Sequence, residues 1–218
     1  MRKPPARTRA AQLSAAAFLL AVFGATRVEA AVGCDLNDPA RDVRLLFPES
    51  TGFRTVYVSV AEAGGEPLLR RIEGRLGDRF QGLYETIDVP YTMYQIYKGQ
   101  ELIGYIHGVN QKGRYGGIQV FLALTKEGVI RGFYLQRFTG RSGKLFRARQ
   151  FGDQFLGLKL DDFRGYDVAF GREQPAGRIS AIVNPAPDSA DDFRAVLRAV
   201  KKNLILVDEL LMGGGHGK

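Results

Sequence analysis

The block from Tyr91 to Phe138 constrains the fold more than any other part of the chain. Tyr91–Tyr97 and Leu102–His107, rich in β-branched and aromatic residues, stand on either side of Lys98-Gly99-Gln100-Glu101. Gly117–Thr125 (GIQVFLALT) and Val129–Phe138 (VIRGFYLQRF) flank Lys126-Glu127-Gly128 in the same way. Runs of this kind joined by short glycine-bearing turns form β-hairpins. Two hairpins in succession predict a four-stranded antiparallel meander.

The flanking segments change period. Thr55–Val60 (TVYVSV) reads as a further strand, whereas Glu66–Phe80 places Leu68, Leu69, Ile72, Leu76 and Phe80 at helical spacing opposite Arg70, Arg71, Glu73, Arg75 and Arg79. Lys144–Phe155 again has helical spacing, with Leu145, Phe146, Phe151 and Phe155 as core candidates, and Tyr166–Phe170 and Arg178–Val183 read as short strands. Ser189-Ala190-Asp191-Asp192 then caps a long amphipathic helix whose apolar face carries Phe193, Val196, Leu197, Val200, Leu204, Val207 and Leu211. Cys34–Ser50 is a loop-rich lead-in with one helical turn in DVRLLF. Strand runs interrupted by helices, without βαβ alternation, indicate an α+β fold with helices packed on an antiparallel sheet.

The first thirty residues read as a targeting segment. Arg2–Arg9 is basic, Ala10–Gly24 is apolar, and Val28-x-Ala30 places small residues at the −3 and −1 positions of a secretory cleavage site. The apolar stretch is shorter than the roughly 20 residues of a spanning helix. An uncleaved anchor is one alternative; another is lipidation, since Ala31-Val32-Gly33-Cys34 loosely resembles a lipobox. Removing residues 1–30 lowers the formal charge from +8 to +4, with 26 basic residues against 22 acidic ones. An exported chain whose modest positive charge is spread along its length is not a nucleic-acid binder. Its basic surface suits an anionic membrane or an acidic redox partner. One cysteine excludes an internal disulfide, a Cys-based zinc site and a C-x-x-C-H haem attachment.

Two glycine-bracketed loops carry the candidate chemistry. Lys112-Gly113-Arg114-Tyr115-Gly116-Gly117 offers backbone donors, positive charge and an aromatic face, a combination that suits a phosphate and an adjacent planar ring, though glycines also simply permit a tight turn. Phe138-Thr139-Gly140-Arg141-Ser142-Gly143-Lys144 precedes the helix expected from Lys144, and helix N-termini favour anions; the spacing is not that of a P-loop. His107 reads as a strand residue and His216 lies in a glycine tail, so the two histidines make no metal site. Asp161-Asp162, Asp191-Asp192 and Asp208-Glu209 read as helix caps and solvated charges, and no Ser-His-Asp arrangement can be argued.

The order of elements from Tyr115-Gly116-Gly117 through the apolar strand, the Glu127-Gly128 hairpin, the strand with Gly132, Phe138-Thr139-Gly140 and Gln154-Phe155-Leu156-Gly157-Leu158 resembles the FMN-binding domain family. That family includes the extracytoplasmic small subunits of sodium-pumping NADH:quinone reductase and of the Rnf complex, and the outer domain of NosR-type regulators. The resemblance spans about Tyr91–Leu211. In flavinylated members the Thr of a Ser-Gly-Ala-Thr motif before the last helix carries FMN. Here that stretch is Asn184-Pro185-Ala186-Pro187, and the acceptor position falls on Pro187, which has no hydroxyl to esterify. The resemblance therefore implies noncovalent FMN held by Arg114, Tyr115, Gly116, Gly117, Thr139, Gly140, Arg141, Ser142 and Lys144. The residues themselves divide the rest of the chain into a signal peptide over 1–30, a lead-in with a strand and a helix over 31–90 and a flexible tail over 213–218, and the resemblance implies an FMN-binding-like domain over 91–212. The expected role is extracytoplasmic electron transfer beside a redox protein or membrane electron-transport complex, as a carrier or accessory protein more than a substrate-converting enzyme. The alternative is a flavin-less binding or assembly factor for such a complex, with a small-ligand sensor as a third option.

Overall fold

The computed structural model describes residues 34–173 and 177–213; the expected signal peptide and most of the glycine tail, with His216, lie outside them. Five strands, β1 (Gly52–Val58), β2 (Tyr91–Lys98), β3 (Glu101–Lys112), β4 (Gly117–Thr125) and β5 (Ile130–Phe138), form one antiparallel sheet in chain order. The meander of β2 to β5 is as the hairpin turns require, and β1 extends it by pairing along β2 from Gly52↔Tyr97 to Val58↔Tyr91. The α+β class with helices on an antiparallel sheet is therefore observed.

Alternation assigns each strand residue to a face. Tyr91, Met93, Tyr105, Val109, Val120 and Leu122 point to the larger core, where α3 (Gly65–Leu76), which follows the short α2 (Val60–Ala63), and the 22-residue α6 (Ala190–Leu211) lie. Tyr94, Ile96, Ile106, Phe121 and Ala123 point to the opposite face, closed by Cys34, Leu36, Val43 and Phe47 from the lead-in and its helix α1 (Pro39–Leu46). Two glycines of β3 make room on that second face. A Cβ on Gly104 would lie 2.2 Å from the Leu124 carbonyl and 2.7 Å from the Phe47 ring, and one on Gly108 would lie 2.4 Å from the Phe121 ring.

Several sequence expectations are corrected. The helix expected over Glu66–Phe80 ends at Leu76, because Gly77 turns left-handed (φ 78°) and the chain folds back so that the Phe80 N–H reaches the Glu73 carboxylate. Lys144–Phe155 is two short pieces, α4 (Gly143–Phe146) and α5 (Arg149–Asp153), broken at Arg147-Ala148 so that Phe146, Phe151 and Phe155 stack edge and face into the core. The strand expected over Tyr166–Phe170 shrinks to β6 (Tyr166–Asp167), paired with β7 (Arg172–Glu173). Arg178–Val183 is a turn whose Ile182 N–H donates to Ile179. The helix α6 is buried on all sides from Ala195 to Asp208, including Arg198, Lys201, Lys202 and Asn203, because α3 and the 160–168 segment cover the side that the apolar pattern leaves to water. Asp208 and Glu209 are not solvated charges: Arg75 holds both at 2.6 Å, and Arg71 adds a second contact to Glu209.

Candidate functional site

The two glycine loops meet at one corner of the molecule. The first closes on itself through the Gly113 N–H and the Gly116 carbonyl at 2.8 Å. Gly116 has φ 143°, and a Cβ there would lie 2.9 Å from the Thr139 methyl, so the loops touch through the position where a side chain is excluded. Thr139 donates its N–H and its hydroxyl to the Gly117 carbonyl, at 3.2 and 3.1 Å. A third segment joins them: the Ser142 and Ser189 hydroxyls are 2.7 Å apart. Ser189 thus spends its side chain on the second loop and makes no capping bond to α6, contrary to the expectation from sequence.

This geometry gathers Gly116, Gly117, Thr139 and Ser142, with Gly140 alongside, and leaves Arg114, Tyr115, Arg141 and Lys144 exposed on the outside. Tyr115 is 61% exposed, and the Arg114 guanidinium lies 5.4 Å from its ring centre. Lys144 belongs to α4, which is a single turn, so it gains little from a helix dipole.

Between the loops sits an anion that the chain itself supplies. Asp192, on the first turn of α6 and only 1% exposed, accepts the Arg114 N–H at 2.7 Å. A Cβ on Gly113 would lie 2.8 Å from one of its oxygens and a Cβ on Gly140 3.5 Å from the other. The glycines therefore make room for a carboxylate, which takes the kind of donor a phosphate would take. A ligand phosphate about 4 Å away would meet repulsion on the order of 4 kcal/mol per pair of unit charges at an effective dielectric of about 20. The set expected to hold FMN does not fit a phosphate with Asp192 in this seat. Sequence reasoning read Asp192 as a cap, and nothing in its spacing marks it as the group the glycines surround.

A second polar assembly escaped the sequence altogether. Glu85, following a 3-10 turn over Gly82–Tyr84, reaches under the sheet and accepts from Arg198 at 2.5 and 3.1 Å and from Lys202 at 2.6 Å. Arg198 donates further to Asp78, Gln111 and the Arg79 carbonyl, and Lys202 to the Asn110 carbonyl. Asp78, Gln81, Tyr84, Gln111 and Lys112 line a cavity of about 230 Å³ over this network. Burial works to raise the Glu85 carboxyl, but Lys202 and Arg198 hold it below the usual range. Burial pushes the Lys202 ammonium down to about 8 against the pull of Glu85. On the adjoining strand, His107 donates its Nδ1–H to the Thr92 carbonyl, and burial lowers it to about 4, so it is neutral. The Glu85–Arg198–Lys202 network is matched within itself and ties α6 to β3, whereas the buried Nε2 of His107 has no hydrogen-bond partner among the described residues.

A groove of about 560 Å³ runs along β5 between α1 and α4–α5, with Phe133, Tyr134, Phe146, Arg147 and Leu156 among its walls. None of the residues 114–117 or 139–144 lines it. Cys34 is buried in the second core with its thiol pushed up to about 12 by desolvation, so a lipid on Sγ would have to displace it from that packing. Among the described residues no group of His, Cys, Asp and Glu could hold a metal ion, and no helix is long and apolar enough to cross a membrane. No protein-family model matches the chain, and no curated protein is significantly similar to it.

Proposed function

We propose that the chain is an FMN-binding-like domain that has given up the flavin and serves as a binding or assembly module for an extracytoplasmic redox complex. The observation that carries this reading is the buried Asp192 carboxylate between Gly113 and Gly140, on the Arg114 N–H that a phosphate would need. Pro187, without a hydroxyl at the acceptor position of the resembled family, points the same way. The corner keeps its loops and presents Arg114, Tyr115, Arg141 and Lys144 outward. Exposed cations around an aromatic suit an acidic protein surface, with long-range attraction that weakens as salt rises.

A second reading, a noncovalent FMN carrier in the same compartment, is supported by Arg114 lying over the exposed Tyr115 ring beside Arg141 and Lys144. The protein would then set the potential and partner contacts of a flavin that supplies the redox chemistry. Titration of the purified protein with FMN, followed by flavin fluorescence, separates the two. No saturable quenching supports the flavin-free module. Saturable quenching that Arg114→Ala and Arg141→Ala weaken supports the carrier.

A further inference from the structure

The sheet has two edges, and among the described residues only one is closed. On the β5 edge, register shifts at Gln119/Val120 and Ala123/Leu124 bend the strand. Ile130 pairs outward with Leu158 and Gly157, and the Arg147 guanidinium covers the Leu135 carbonyl. These are the devices that keep an edge from pairing with another chain. Among the described residues the β1 edge has no bulge, no outward pairing and no covering side chain. Its seven residues pair with β2 without a bulge and contain neither proline nor lysine. Among the described residues no backbone group of β1 bonds to anything except β2. Phe53 and Tyr57, on one face of this strand, are 37% and 67% exposed.

We infer that β1 pairs antiparallel with β1 of a second copy of this chain, about a two-fold axis through Thr55, to make one continuous sheet. The strand selects this occupant and this register. A two-fold axis perpendicular to the sheet keeps each face on its own side, so opposed residues must share a face and the axis must pass through a residue pair. An axis at Arg54 sets that guanidinium opposite itself, the unfavourable like-charge pair. An axis at Val56 sets Gly52 and Phe53 opposite Val60 and Ser59, beyond the strand end at Val58. The axis at Thr55 pairs all seven residues: Gly52 meets Val58 of the partner subunit, Phe53 meets Tyr57 of the partner subunit, and Arg54 meets Val56 of the partner subunit. Two aromatic cross-strand pairs then cover both exposed rings, on the face where Phe53 already packs edge-on against Tyr94 at 5.9 Å. The only charge in the strand faces an aliphatic residue.

Sedimentation equilibrium of the purified protein across the micromolar range tests the inference. The expected result is a reversible monomer–dimer equilibrium. Thr55→Arg, which places two guanidinium groups at the axis, weakens it at least about tenfold while the thermal unfolding curve of the monomer stays in place. A protein monomeric throughout that range overturns the inference, and so does a dimer that Thr55→Arg leaves unchanged. A nitroxide on Thr55→Cys adds a check that does not depend on disrupting the dimer. Strong dipolar broadening is expected there and little on Gly52→Cys, whose two copies stand about 20 Å apart in this register. Broadening that is equal at both positions, or greater at Gly52→Cys, contradicts the Thr55 axis.

Discussion

Replacing Glu85 with glutamine tests the buried ion network in a way that separates electrostatics from packing. The carboxylate is 7% exposed and accepts from two cations that are themselves buried, Arg198 at 8% and Lys202 at 1%. Removing one partner of a buried pair costs about 3–5 kcal/mol, chiefly because the remaining charge is left uncompensated. Glutamine keeps the volume and one acceptor oxygen, and Asp78 still faces Arg198, so the expected loss at neutral pH is in the lower part of that range, about 3 kcal/mol. The pH dependence identifies the cause. Lys202 titrates at about 8 in the folded protein against 10.5 for the free side chain. Without the attraction of Glu85 its folded value falls further. Between that lowered value and pH 8 the folded variant gives up a proton that its unfolded state retains, regaining about 1.4 kcal/mol per pH unit. The wild type begins the same release only near 8. Urea unfolding at a series of pH values should therefore show a gap that narrows toward pH 8 and is level above it. A gap under about 1 kcal/mol at neutral pH, or one that widens as pH rises, would refute the argument.

Other expectations follow from single contacts. Gly104→Ala puts a methyl group 2.2 Å from the Leu124 carbonyl, a backbone atom that cannot step aside, and should cost about 2–3 kcal/mol in thermal or urea unfolding. His107 has a folded value near 4 against 6.5 when free, so the unfolded state binds the extra proton between them. Stability should thus fall by about 1.4 kcal/mol per unit as pH drops through that window, and His107→Gln should remove this slope from acid-unfolding curves. Asp192→Ala strips the carboxylate from the Arg114 N–H and should cost about 1.5–3 kcal/mol, with faster hydrogen exchange at that amide as the local readout.

The parts of the fold that the sequence discloses are those decided by neighbours along the chain. GIQVFLALT alternates between two cores and becomes β4 over the expected residues, Gly117–Thr125. The final helix is equally legible from its apolar spacing and begins at Ala190. Local pattern fails where a distant segment decides. β3 runs on from His107 to Lys112 through Gly108, Asn110 and Gln111, residues of low strand preference, because β4 and α6 supply partners on two sides. Phe146, Phe151 and Phe155 suit a helix by count, but stacking on Phe133 and Phe138 bends the segment. Arg198 and Lys202 look like an ordinary solvated helix face. Their partner Glu85 lies more than a hundred residues away, and no periodicity connects the two. At the corner, the sequence located both glycine loops but not the carboxylate between them.

The claim that Asp192 fills the seat of a ligand phosphate has a direct measurement. The protein, purified from its native compartment, is scanned between 350 and 550 nm before and after acid precipitation, and the colourless fraction is then titrated with FMN beside Asp192→Ala. The account predicts no flavin band in supernatant or pellet, no uptake by the wild type, and measurable uptake once the carboxylate is gone. Flavin released into the supernatant, or saturable FMN binding by the wild type with Asp192 in place, would contradict it.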